Sequence, residues 1–426
     1  MLATLASALH DLRQRRSPLF ADTSGTTQTS SRTSFDPHSG CAPAQNPLGD
    51  DMSRLVRRRI AAGLFTFALF GANALPVQAA PPAKQPAKPA MQRSAGAFVP
   101  GNGACIEYVG DDFEEAGWSY DHRHPKSSRE QDEQVRYPMG KSLNDKWHEG
   151  PERGQPDHLQ VIKLPEPGLE GSEHGLLMRT LNSYVPGRNI REVHQDDLIA
   201  NCVSRLSGGI PVAERPSVVT RVYLPPAEQW EQRSGPHFGY RASASTMTTG
   251  KTKGLFSLSR ESEVEPYWPG MWIHFRPAGT RDSKEPSAYI TVRSNRLGHD
   301  FPAKDINEFG WWTLGMSFSP DGMVHYYASQ GVDDLTEADY LTSQFPYGYQ
   351  AKQFRTYFFD VCNRSDGKTW STPFVIDDPK LYVGSPGRIN AMVARKEQQA
   401  EQMAARRAAA QERAAMQKSS RSTQKR

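Results

Sequence analysis

The sequence predicts an all-β domain of two packed antiparallel sheets. Three observations carry this expectation. Across residues 99–385, short aromatic and β-branched segments alternate polar and apolar residues with period two. Gly, Pro, Asp and Asn punctuate those segments as turns. Long helical patterns are scarce, and strands do not alternate with helices as a doubly wound fold or a TIM barrel requires.

Taken in order, the candidate strands are Leu159–Leu164, Gly175–Thr180, Val218–Leu224, His237–Ser243, Gly270–Phe275, Ala288–Arg293, Trp311–Phe318, Met323–Ala328 and Thr356–Cys362. Ser319-Pro320-Asp321-Gly322 is a sharp turn, so 311–328 reads as the most secure hairpin. Asp333–Tyr340 fits one or two helical turns, started by Asp334 or Thr336. Residues 111–158 hold Trp118, Trp147 and several His and Arg but few aliphatics. They predict an irregular excursion around the sandwich, with its Trp and Tyr residues as anchors.

The flanks differ in kind. Residues 1–51 are Ser/Thr/Pro/Gly-rich with no folding pattern and read as a disordered extension from a start placed too far upstream. Met52 to Ala79 reads as a secretory signal: Arg54 and Arg57–Arg59, an apolar run Ile60–Phe70, then Val77-Gln78-Ala79 as a small-x-small cleavage pattern. The alternative, a retained membrane anchor, has a short apolar core for a span. The expected location is therefore secreted, periplasmic or cell-surface, with no transmembrane segment after cleavage. Residues 80–98, rich in Pro, Ala and Lys, form a tether. Residues 386–426 lack aromatics, and Asn390–Gln417 favours an exposed helix without a large apolar stripe, ending in a disordered basic segment.

The formal charge of +4 comes largely from the signal region and the tail. The central domain has no sustained basic run, so nucleic acid is not an expected partner. Cys105, Cys202 and Cys362 leave room for one disulfide in an oxidising compartment, with the pair undetermined. Their wide spacing excludes a zinc module. No nucleophile elbow, zinc-protease helix motif or phosphate loop is present.

Asp111-Asp112-Phe113-Glu114, Tyr267-Trp268-Pro269-Gly270-Met271-Trp272-Ile273 and the hairpin at Trp311–Tyr327 occur in an order that resembles the concanavalin A-like lectin/glucanase jelly roll. The resemblance covers roughly 105–385 and extends to uncharacterised exported bacterial members. It implies a jelly-roll β-sandwich with long loops. It also implies a polysaccharide or oligosaccharide partner, because the superfamily holds lectin-like binders, glycoside hydrolases and polysaccharide lyases. Related folds often carry a structural calcium, for which Asp377, Asp378 and Asp360 are the candidates. No other metal or cofactor is expected.

Strand parity nominates the site. Trp272, His274 and Arg276 share one face, as do Tyr289, Thr291 and Arg293, His237 and Arg241, and Arg221 and Tyr223. Such a face suits a sugar groove, since aromatic rings stack on sugars and Arg pairs with uronate or sulfate. A solvated sheet face shows the same alternation. Polysaccharide binding is the leading expectation, with His237, Arg241, Arg221, Tyr223 and Trp272 as contacts. The first alternative is a lyase on an acidic glycan, with His274, Tyr289, Arg276 and Arg293 as the catalytic set. The second is a hydrolase using Glu261, Glu263 and Glu265 on one strand face, for which a solvated acidic edge is the simpler account. The third is a structural surface protein.

Overall fold

The period-two alternation resolves into two antiparallel sheets. The structure, a computed structural model, describes residues 94, 96–183, 192–251, 260–280 and 284–423. These belong to one compact unit, Gln85–Arg426. The N-terminal extension, the signal-like segment and nearly all of the tether lie outside the described residues.

The first sheet has eight strands. In spatial order they are Tyr340–Gln344, Val324–Gln330, Gly310–Phe318, Pro216–Leu224, Phe374–Val383, His174–Arg179 and His158–Lys163, with Ala104–Cys105 paired to Phe374–Val383. The second has eleven. Its main path runs Asp300–Ile306, Ser287–Arg293, Gly270–Arg276, Gly235–Lys251, Gln353–Asn363, His194–Ala200, Trp147–Glu149, Lys141–Ser142 and Tyr120–Asp121. Arg260–Tyr267 pairs with the far half of Gly235–Lys251, and Ile210–Pro211 pairs with Gln353–Asn363. Sequence-distant strands lie side by side in both sheets, the crossover pattern of a jelly-roll sandwich.

Parity fixes what faces inward. Leu176, Met178, Val218, Val222, Leu314 and Met316 of the first sheet meet Phe238, Tyr240, Ile273, Phe275, Ile290 and Phe359 of the second in one core. Burying a side chain of this size stabilises by roughly 1.5–3 kcal/mol, so the sandwich rests on this layer.

All nine predicted strands form. Of the ten other described strands, four illustrate the weaker sequence signals. His194–Ala200 holds Asp196 and Asp197 side by side, and Phe374–Val383 contains Pro379 and a register shift between Asp377 and Lys380. Asp300–Ile306 and Tyr340–Gln344 are short edge strands. Asp333–Tyr340 contributes a 3-10 turn, Glu337–Asp339, closed by a capping box between Thr336 and Asp339.

The excursion at 111–158 is pinned as expected. The Trp147 indole is fully buried and donates to Asp111 Oδ2 at 2.8 Å; Trp118 donates to the same oxygen at 3.1 Å. The tail differs from expectation at its root. It is one helix, Gly387–Thr423, whose Ile389 is buried in the core while Met392 and Val393 pack against it. Beyond these first turns the described side chains are mostly exposed. Cys105, Cys202 and Cys362 are free thiols, so the disulfide is not formed. No described helix is long and apolar enough to cross a membrane.

Candidate functional site

The outer face of the second sheet gathers six of the nine nominated residues. One row runs across five strands: Thr291, Trp272, Gly239, Asp360 and Asp197 are successive register partners. Gly239 is required there. A Cβ would come 2.7 Å from Asp360 Oδ2 and 3.0 Å from Trp272 Nε1, so both side chains lean over bare backbone.

On one side of the row stand His274, Arg276 and Tyr289. The Arg276 guanidinium lies 3.9 Å above the Tyr289 ring, and the His274 and Tyr289 rings stack at 4.9 Å. His274 Nδ1 is 3.4 Å from Tyr289 Oη, and its Nε2 is 3.1 Å from Thr291 Oγ1. Burial, followed by the charges of Arg233 and Arg276, pushes the His274 pKa down to about 4. The imidazole is therefore neutral at pH 7 and available as a base. Arg276 has no carboxylate partner among the described residues, and its guanidinium is the free charge of the cluster.

On the other side, Arg241 and Arg293 lie over the Trp272 ring at 5.1 and 4.5 Å. Both are partly neutralised. Arg241 Nη1 meets Asp360 Oδ2 at 3.3 Å, while Arg293 pairs with Asp300 at 2.5 Å and donates to Tyr347 Oη at 2.6 Å. Trp272 is thus a buried plate holding two guanidinium groups, not an open sugar platform.

Three nominated residues lie elsewhere. His237 is fully buried, packed against Trp230 and Phe275, with Nδ1 2.8 Å from Thr372 Oγ1 and Nε2 3.2 Å from the Arg233 carbonyl. A register shift between Pro236 and Phe238 breaks the parity that linked it to Arg241. Arg221 and Tyr223 lie on the first sheet, so they cannot share a groove with the cluster. Arg221 is held by Asp334 at 2.7 Å and by the Val332 carbonyl.

The acidic strand is also separate. Glu263 and Glu265 are exposed on Arg260–Tyr267, and the Glu261 side chain lies outside the described residues. The candidate calcium ligands are split: Asp360 faces Arg241 on the second sheet, whereas Asp377 and Asp378 lie on the first. Among the described residues no group of three or more His, Cys, Asp or Glu is placed to hold a metal.

Two features escaped the sequence. Asp197 and Asp360 form a carboxyl pair on adjacent strands, flanked by Arg153 at 3.4 Å and Arg241 at 3.3 Å. Burial and the Asp360 charge raise the Asp197 pKa to about 7. The second feature is Arg233, whose largely buried charge acts on His274; its Nε pairs with Glu231 at 2.7 Å while Nη1 and Nη2 have no hydrogen-bond partner. Parity would have placed Asp360 on the face; nothing local signals Arg233.

No family model and no curated protein matches the chain. Solved structures resemble it weakly. An alginate lyase from Pseudomonas aeruginosa shares 10% identity over 49% of this chain and 82% of its own, at a TM-score of 0.29. A GH131 β-glucanase catalytic domain from Podospora anserina shares 12% over 56% and 80%, also at 0.29. An endo-β-1,4-glucuronan lyase from Trichoderma reesei shares 11% over 54% and 93%, at 0.26. At such scores the fold assignment stands on this chain's own strand pairing.

Proposed function

We propose that this is an exported jelly-roll protein of the concanavalin A-like kind that binds a polysaccharide bearing carboxylate or sulfate groups across the outer face of its second sheet. The observation that carries the reading is the Arg276–Tyr289–His274 stack. A guanidinium without a carboxylate partner among the described residues stands beside a phenol and a neutral imidazole, on a sheet flanked by Arg241 and Arg293. Rigid placement of such groups lowers the ordering cost of binding a charged chain. The test is retention on immobilised uronate and sulfated polysaccharides. Arg276→Ala is expected to weaken binding about tenfold, the loss of one charge-assisted contact. Equal retention of the variant and the parent would remove the reading.

The same geometry favours a second reading, cleavage by β-elimination. Arg276 would neutralise the uronate carboxylate and so acidify the C5 proton. His274 or Tyr289 would take that proton, the C5 electron pair would form the C4–C5 double bond, and the 4-linked oxygen would leave with a proton from Tyr289. Absorbance near 235 nm during incubation with uronate polymers, with and without calcium, tests this. A rise that disappears in Tyr289→Phe and His274→Gln supports the lyase; no rise on any bound polymer leaves a binder.

A further inference from the structure

A second cleft opens on the first sheet and, apart from Tyr223, uses none of the residues nominated above. It encloses about 680 Å³, a size suited to a small ligand or a disaccharide. Its aromatic lining is the half-buried Tyr223 and Phe309 backed by the buried Trp311, and its three carboxylates, Glu166, Glu228 and Glu308, are exposed. Apolar, proline, glycine and amide residues complete the described lining, with no Lys, Arg or His.

The aromatic walls are set, not loose. Tyr223 and Trp311 meet edge to face at 5.4 Å and 64°, forming a corner. Trp311 Nε1 donates to the Pro165 carbonyl at 2.8 Å, which fixes the indole plane. Glu308 accepts from Gln330 Nε2 at 2.7 Å, and among the described residues no Lys or Arg forms an ion pair with any of the three glutamates. The arginine two residues from Tyr223, Arg221, is already occupied by Asp334 and the Val332 carbonyl.

We infer that this cleft is a separate binding site for an organic ammonium ion, such as a choline-like head or an amine-bearing sugar. Ring faces attract a cation through their quadrupole, and three carboxylates with no lining base supply the complementary charge. An anionic glycan of the kind expected on the second sheet would be repelled here. The two sites therefore sort ligands by opposite charge on opposite sheets. This inference does not depend on the function proposed above, and either can fail alone.

The experiment titrates the full chain with choline, a β-1,4-linked glucosamine disaccharide and its N-acetylated counterpart, following the Trp311 indole N–H by NMR. The two amines are expected to shift that resonance saturably, and the N-acetylated sugar is not. Binding should weaken at least about fivefold in the Glu166→Gln/Glu228→Gln variant, where one to two cation contacts are lost, and again in about 0.5 M salt. Both glutamates are exposed, so the variant is expected to fold, and its unchanged indole spectrum would confirm it. Equal binding of the N-acetylated sugar, no effect of the two Gln substitutions, or no saturable shift would each overturn the inference.

Discussion

Asp197 and Asp360 are register partners on adjacent strands and both are buried, so the charge of Asp360 bears directly on Asp197. Two carboxylates so placed cannot both ionise cheaply. The pair sits between the Arg153 and Arg241 guanidinium groups, and near neutral pH Asp197 is partly protonated. Its cost is pH-dependent. A carboxyl whose pKa rises from 3.8 to about 7 on folding binds more protons folded than unfolded between those values, so its contribution to stability falls as pH rises through that window.

Asp197→Asn keeps a neutral hydrogen-bonding group beside Asp360. The melting temperature of the variant, relative to the parent, is expected to be higher at pH 8 than at pH 5. Calorimetry at both values checks the sign. A difference that is flat or reversed would mean the pair does not share a proton.

His274 works in the opposite direction. Its pKa falls from 6.5 to about 4 on folding, so the unfolded chain gains a proton first and stability drops as pH falls from 6.5 towards 4. His274→Gln is expected to flatten that acid limb, with a gain at pH 4 of about 2–3 kcal/mol relative to pH 7. Histidine ring resonances followed against pH would show directly whether this imidazole stays neutral to about pH 4.

Trp147 ties the 111–158 excursion to the sandwich. It stacks on Phe113 at 6.2 Å, lies 5.6 Å from Phe359, and bonds Asp111. Trp147→Ala is expected to cost about 3–5 kcal/mol and to leave the carboxylate of Asp111 with one fewer donor. Denaturant unfolding measures the loss, and limited proteolysis should show new cuts between 111 and 158 first.

The terminal helix divides into a docked root and a free shaft. Ile389→Ala is expected to cost about 2–4 kcal/mol, because Ile389 is fully buried. Deleting residues 400–426 removes exposed surface among the described side chains and should change stability by less than about 0.5 kcal/mol. Equal losses from the two changes would show that the shaft packs on something.

Sequence alone determined the sandwich. Val218–Leu224, Gly270–Phe275, Ala288–Arg293 and Trp311–Phe318 announce themselves because an inward face must be apolar at every second residue, a rule local to each strand. The same parity put Trp272, His274, Arg276, Tyr289 and Arg293 on one side, and the sheet pairing then made them neighbours. Tertiary structure decided the rest. A one-residue register shift sent His237 into the core, and the assignment of Pro216–Leu224 to the other sheet moved Arg221 and Tyr223 to the opposite side. His194–Ala200 was illegible as a strand because Asp196 and Asp197 are buried only by virtue of Lys126, Arg153 and Asp360, which come from distant segments. Alternation along a strand is written in consecutive residues, whereas which strands meet, and which charges cancel there, depends on contacts that no single segment contains.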